Sequence, residues 1–268
     1  MLVDLTYKCS MGCSHCMSDC KPDGEHMSVQ TLIDVLDFAK RNNIVNIVYS
    51  GGEMFENPNI LKMLDLIADD CIARNIPMSL TTNGKYLANS IEAREKLNKI
   101  KTRMKNKNQL VIQVTDDDRF YPSKLSQKEI YNLKKLGAVV EPVPSPNIHN
   151  LKACLYPQGR ALDFDESWYY TKAPKCTNCR IFVKQIENIT FNLLNKKLLE
   201  HQKFCTPAID PQGNIKVGES RLCPAVSSIY KKESEIIEDI RNFKCTNCTY
   251  SLNKLKETNE ILYQLFII

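Results

Sequence analysis

The stretch MLVDLTYKCSMGCSHC, residues 1–16, sets a short β-rich run, Leu2–Tyr7, directly against Cys9, Cys13 and Cys16. A strand followed at once by three close thiols places them on a strand-to-helix loop. Three thiolates this near one another can hold three irons of a cubane and leave the fourth iron without a protein ligand. An open metal position marks a catalytic rather than a structural site. A zinc ion completed by Cys20 or His15 is the other reading of the same residues, with Cys20 otherwise a spare loop thiol or a substrate-proximal residue. The chain has 12 cysteines against 4 histidines, so an all-sulfur metal shell suits it, and such shells take zinc or iron–sulfur clusters.

Outward from this loop, β-rich and helical runs alternate up to about residue 145. Strands are expected at Ile44–Tyr49, Pro77–Thr82, Gln109–Thr115 and Ala138–Pro142. Helices are expected at Ser28–Asn42, with Ser28 as N-cap, at Asn59–Arg74, at Ser90–Lys105, and at Ser126–Leu136 closed by Gly137. Alternation of this kind predicts a parallel sheet with helices outside it, whose loops after the strand ends carry the chemistry. Beyond Pro144 the texture changes to prolines, cysteines and turns. A hairpin is expected around Pro211-Gln212-Gly213-Asn214, then helices over Glu233–Phe243 and Ser251–Phe266. A boundary near residue 160 divides an α/β unit, 1–160, from a small cysteine-rich α+β unit, 161–268.

The C-x3-C-x2-C spacing of Cys9, Cys13 and Cys16 resembles that of the radical S-adenosylmethionine (SAM) superfamily. Ser50-Gly51-Gly52-Glu53, after the second expected strand, resembles that family's motif for the methionine part of SAM. Its glycines permit close backbone approach, and Glu53 offers an acceptor for an ammonium group. Thr81-Thr82-Asn83-Gly84 resembles the family's motif after the third strand. The resemblance implies a partial (β/α)6 parallel barrel, a SAM-binding [4Fe-4S] cluster on the three cysteines, and further SAM contacts from His15, Asn83, Gln113, Thr115 and Val140. It also implies reductive SAM cleavage to a 5′-deoxyadenosyl radical that abstracts hydrogen from a substrate.

Cys205 and Cys223 bracket the expected hairpin, and Cys245 and Cys248 follow as a C-x2-C pair. This arrangement resembles the twitch domain, the short relative of SPASM, and implies an auxiliary [4Fe-4S] cluster; a structural zinc is the alternative. Cys154, Cys176 and Cys179 stand outside that pattern, and either hold a third cluster, or a zinc ion with His149, or the Cys176/Cys179 pair replaces a twitch ligand or serves structure only. Tyr156-Pro157-Gln158-Gly159-Arg160-Ala161 resembles a segment of such enzymes whose arginine faces the active site. Asp116, Asp117, Asp118 and Glu141 lie near strand ends and are candidate bases or turn acids; with Arg160, Asp117 and Glu141 make the candidate catalytic set.

An auxiliary cluster would take an electron from the substrate radical, so a net two-electron oxidation is expected. Its expected setting is peptide or protein modification, such as cross-linking or maturation. A small-molecule dehydrogenase of the aminocyclitol-oxidising kind is the rival, favoured by the absence of a leader-binding segment ahead of the first strand. A flavodoxin- or ferredoxin-type reductant is the expected electron donor. The net charge of +5 is spread over both halves, which argues against a nucleic-acid arm and so against a zinc-stapled nucleic-acid-binding module; a pure electron-transfer protein is the remaining class. The seven basic residues of the 94–107 stretch are either a solvated helix face or a dock for an acidic partner. The N-terminus has no basic and apolar signal pattern, and a cytoplasmic, membrane-free protein is expected.

Overall fold

The computed structural model describes residues 1–143, 155, 158–165, 168, 207–216, 218–243 and 257. All five expected strands of the first unit are present in shorter form: β1 Leu2–Asp4, β2 Val48–Ser50, β3 Met78–Thr82, β4 Leu110–Thr115 and β5 Val139–Glu141. They pair in parallel in sequence order. On the far side of β1 the sheet continues through β6 (Ala208–Ile209), parallel to β1, and then antiparallel through β7 (Asn214–Lys216) and β8 (Ala225–Ser228). Among the described residues the sheet runs β5-β4-β3-β2-β1-β6-β7-β8 and does not close. The sixth parallel strand described thus extends the β1 edge of the sheet.

The helices follow from local signals. Ser28 caps α1 (Val29–Arg41) by accepting from the Thr31 N–H, and Ser90 does the same for α4 (Ile91–Arg103) from Ala93. Helix α2 spans Ile60–Arg74. Helix α5 (Gln127–Leu136) starts with a reciprocal capping box between Ser126 and Glu129 and ends on Gly137 at φ 92°. A one-turn helix, α3 (Lys85–Asn89), follows Gly84; five residues carry too little periodicity to be read as a helix. Helix α6, Glu233–Asn242, packs on β8. The expected helix over 251–266 falls outside the described residues apart from position 257. Part of the basic stretch is spoken for: Lys96 pairs with Asp65 and Arg103 with Asp69, both on α2.

Strand alternation divides the sheet into two faces. Val3, Tyr49, Leu80, Ile112 and Val114 turn toward the helices and are buried in one continuous core. The registers Asp4↔Ser50, Val48↔Ser79, Thr81↔Gln113 and Thr115↔Glu141 set the alternate residues on the opposite face. A second small core, Phe120, Val143, Leu155 and Ala161 with Phe164 and Trp168, brings the 158–165 segment beside that face.

Candidate active site

A cavity of about 710 Å³ opens on the polar face of the sheet. Its wall includes Cys9, Cys13, His15 and Cys16 from the thiol loop, Ser50, Gly51 and Gly52 after β2, Asn83 after β3, Thr115 of β4, and Arg160. Residues from five separate stretches of sequence are brought together here.

The thiol loop is gripped from two sides. Arg160 donates from Nε to the Cys13 carbonyl at 2.8 Å, and from Nη1 to the Asp19 carboxylate at 2.7 Å and the Cys20 carbonyl at 3.2 Å. Gly159, at φ +56°, lets that segment lie against the loop, since a Cβ there would sit 2.6 Å from the Cys16 carbonyl oxygen. From the β7–β8 connection, Ser220 Oγ donates to the Met17 carbonyl at 2.8 Å and Arg221 Nε to the Ser18 carbonyl at 3.1 Å. Sequence reasoning missed Asp19, Ser220 and Arg221; Ser220 and Arg221 meet backbone groups 203 residues away and Asp19 meets a guanidinium 141 residues away, which no spacing reveals.

Burial pushes the Cys9 thiol up to about 11 and Cys13 higher still, so neither is an activated nucleophile as it stands. Cys16 is drawn down to about 6, chiefly by the thiol of Cys20 against it. Among the described residues no three His, Cys, Asp or Glu side chains are grouped to hold one metal ion. Cys9, Cys13 and Cys16 nonetheless line one cavity wall, and three thiols from one loop are a donor set that fits a cluster taking one thiolate per iron. His15 stacks on Phe120 with ring centroids 4.7 Å apart and meets Tyr121 edge-on at 5.6 Å. Burial lowers its pKa to about 4, and its buried Nδ1 has no partner among the described residues. A neutral, flat ring with one open nitrogen on the cavity wall suits contact with a bound cofactor.

The glycines of Ser50-Gly51-Gly52-Glu53 answer a demand within the chain. A Cβ on Gly51 would lie 2.2 Å from the Thr6 carbonyl oxygen, and one on Gly52 2.3 Å from that of Lys8. The Gly52 N–H donates to Thr6 at 2.7 Å and the Glu53 N–H to Lys8 at 2.8 Å, fastening the motif to the approach to the thiol loop. Glu53 is 1% exposed. It accepts from Thr82 Oγ1 at 2.7 Å, the Asn83 N–H at 2.8 Å and the Phe55 N–H at 3.1 Å, and burial raises its pKa. It therefore braces the second motif against the third, with its carboxylate set behind the cavity wall.

Other candidates are placed differently. Gln113 and Glu141 are exposed on the cavity side of the sheet, beyond the cavity wall. Val140 packs against the helix-side core; alternation gives the other face to Val139 and Glu141. Asp117 is 3% exposed and fully engaged: its Oδ1 accepts from Arg119 Nε at 2.8 Å, and its Oδ2 from the Val143 N–H at 3.0 Å. It organises the loop after β4 and has no free lone pair directed at the cavity. Cys20, read as a spare thiol, is buried against Tyr7, Cys9 and Cys16. Cys223 is described and half-buried. Cys154, Cys176, Cys179, Cys205, Cys245 and Cys248, and with them both proposed extra metal centres, lie outside the described residues.

Residues 3–133, just under half of the chain, match the family model of the radical SAM superfamily. Among curated proteins it is similar to the mycofactocin maturase MftC of Mycobacterium ulcerans, at 27% identity over 92 residues, 34% of this chain and 24% of that protein. The same protein of Mycolicibacterium smegmatis is 27% identical over 92 residues, 34% of this chain and 22% of its own length. The match thus spans about a quarter of these relatives. Among solved structures the fold is similar to Streptococcus suis SuiB bound to precursor peptide SuiA, with a TM-score of 0.53 and 14% identity over 92% of this chain and 67% of that one. No helix among the described residues is long and apolar enough to cross a membrane.

Proposed function

We propose that this chain is a radical SAM enzyme that modifies a peptide or protein by a net two-electron oxidation. The carrying observation is that Cys9, Cys13 and Cys16 share one cavity wall with Gly51, Gly52, Asn83 and His15. The matched relatives, named as maturases, support a peptide substrate. Bound cluster and SAM together supply a 5′-deoxyadenosyl radical that takes a hydrogen atom from substrate carbon. Cys9, Cys13 and Cys16 hold the cluster. Asn83, Thr115 and the open Nδ1 of His15 offer polar contacts to SAM, and His15 offers its ring face. Arg160 positions the thiol loop through the Cys13 carbonyl, which is the role its hydrogen bonds support. In the 161–268 region, whose strands β6–β8 continue the sheet of the first unit, Cys205, Cys223, Cys245 and Cys248 hold an auxiliary [4Fe-4S] cluster that receives the substrate electron. A flavodoxin- or ferredoxin-type protein is the reductant, in the cytoplasm.

Anaerobic reconstitution followed by metal analysis and assay with dithionite and SAM tests this. The expected result is about 8 irons per chain for two cubanes and 5′-deoxyadenosine formation that Cys13→Ala abolishes. About 12 irons would instead place a third cluster on Cys154, Cys176 and Cys179. Zinc without iron, or iron clusters with no SAM binding, overturns the assignment.

A further inference from the structure

At the β1 end of the cavity stands a polar group that SAM chemistry leaves unused. Asp4 ends β1 beside Ser50 of β2 and lines the cavity, yet its residue is only 2% exposed. Its carboxylate is hydrogen-bonded to the Tyr7 hydroxyl, which accepts in turn from Lys216 Nζ at 3.1 Å. Lys216 spends a second donor on the Ser220 carbonyl at 2.5 Å. The chain Lys216–Tyr7–Asp4 leaves Asp4 Oδ2 with no partner among the described residues. An unpaired carboxylate oxygen buried at a cavity wall is costly unless a ligand donor meets it.

The surrounding charge says what kind of donor fits. Glu219, half-buried, lines the same cavity. Asp210 lies near but is consumed by its own turn, accepting from the Gln212 and Asn214 N–H groups at 3.0 and 2.9 Å. Lys216 sits behind the wall rather than on it. Arg160, the guanidinium that does line the cavity, is held by Cys13, Asp19 and Cys20. The Met1 α-ammonium also lines the cavity and lies in the field of Glu219, but it donates to the Asn46 carbonyl at 2.7 Å; among the described residues neither carboxylate has a directly bonded cation.

We propose that Asp4, with Glu219, forms a subsite for a cationic group of the substrate, an ammonium carried on a lysine-like side chain. The proposal rests on the reading of this chain as a peptide-modifying radical SAM enzyme. Asp4 Oδ2 accepts from the ammonium, Glu219 adds a second negative charge, and Tyr7 with Lys216 fixes the Asp4 rotamer from behind. Neither carboxylate reacts; they set which side chain enters and how it lies.

Calorimetric titration of the reconstituted, SAM-bound protein tests it with two probes: N-acetyl-lysine methylamide and N-acetyl-norleucine methylamide, alike in length and differing in charge. Wild type is expected to bind the lysine probe at least about tenfold more tightly, the scale of one charged hydrogen bond. Asp4→Asn should bring the preference below about threefold, and Glu219→Gln, at the less buried position, should lower it by about threefold. No preference in wild type, failure of both probes to bind, or a preference unchanged in either variant overturns the subsite. Melting temperature and SAM affinity of each variant separate loss of fold from loss of the subsite. SAM cleavage without charge preference sinks the subsite alone; charge preference without SAM binding sinks the enzyme reading alone.

Discussion

Arg160 Nε donates to the carbonyl oxygen of Cys13 at 2.8 Å, joining positions 147 residues apart. The same guanidinium reaches Asp19 and Cys20, so one planar group holds both ends of the loop that carries the thiols. A lysine is a single point donor and cannot reproduce that fork. Arg160→Lys is expected to cost about 2–3 kcal/mol and to lower iron bound per chain after reconstitution. Denaturant midpoints with iron analysis check this; wild-type values for both would show that the clamp is idle.

The two glycines after β2 and the glycine of the thiol loop predict different costs. Alanine at Gly51 places a Cβ 2.2 Å from a backbone oxygen, at φ +132°, so the neighbouring strand must move; a loss of about 3 kcal/mol or more is expected. Gly12 is at φ +67° with nothing within 4 Å of the added Cβ, and Gly12→Ala should cost about 1–2 kcal/mol, from backbone conformation alone. Urea unfolding of both variants gives the comparison, and equal costs would contradict it.

Thr82 Oγ1 donates to Glu53 and accepts from the Gly84 N–H at 3.0 Å. Thr82→Val keeps the shape and deletes both bonds, leaving a buried carboxylate oxygen and a buried N–H each short of a partner. The expected loss is about 2–4 kcal/mol, and Thr82→Ser should recover most of it. A neutral valine variant in thermal unfolding would remove Glu53 as the brace between the two motifs.

Asp4 and Glu129 give pH dependences of opposite sign. Burial raises Asp4 to about 7, so the folded chain holds a proton there that the unfolded chain releases. Its contribution is present below pH 4 and is lost as pH rises to about 7, at no more than about 1.4 kcal/mol per pH unit. Glu129 is lowered to about 2: burial opposes the shift, but hydrogen bonds from Ser126, Asn89 and Lys85 outweigh it. Its contribution is present above pH 4.5 and is lost as pH falls toward 2. Urea midpoints from pH 3 to 8 should show Asp4→Asn flattening the upper range and Glu129→Gln the lower.

The strands and the larger helices of the first unit were legible because their periodicity and caps are local: Ser28, Ser90 and the Ser126/Glu129 box each act within a few residues. Three site motifs were legible by spacing, and the cavity gathers residues from all of them. Their internal roles were not. Nothing local reveals that Gly51 lies against Thr6, or that Glu53 is consumed by Thr82 and Asn83, since both depend on the parallel register of β1, β2 and β3. Val140 illustrates the limit of strand placement, for one residue of alternation decides which face a side chain meets. Asp4 went unnoticed because a lone acid on a three-residue strand carries no pattern.

The two-sided grip on the thiol loop has a consequence for how the protein is made. Residues 9–20 emerge from the ribosome early, but the carbonyls of Cys13, Met17 and Ser18 gain their side-chain donors from Arg160, Ser220 and Arg221. At translation speeds of about 5–20 residues per second, the loop waits some ten seconds or more between its own synthesis and its last anchor. Its thiols are nascent-chain thiols throughout that interval, open to oxidation or to the wrong metal. Under the proposed function, iron delivery to this protein would be a late step of assembly, and agents that protect free thiols during synthesis should raise the yield of cluster-competent chain.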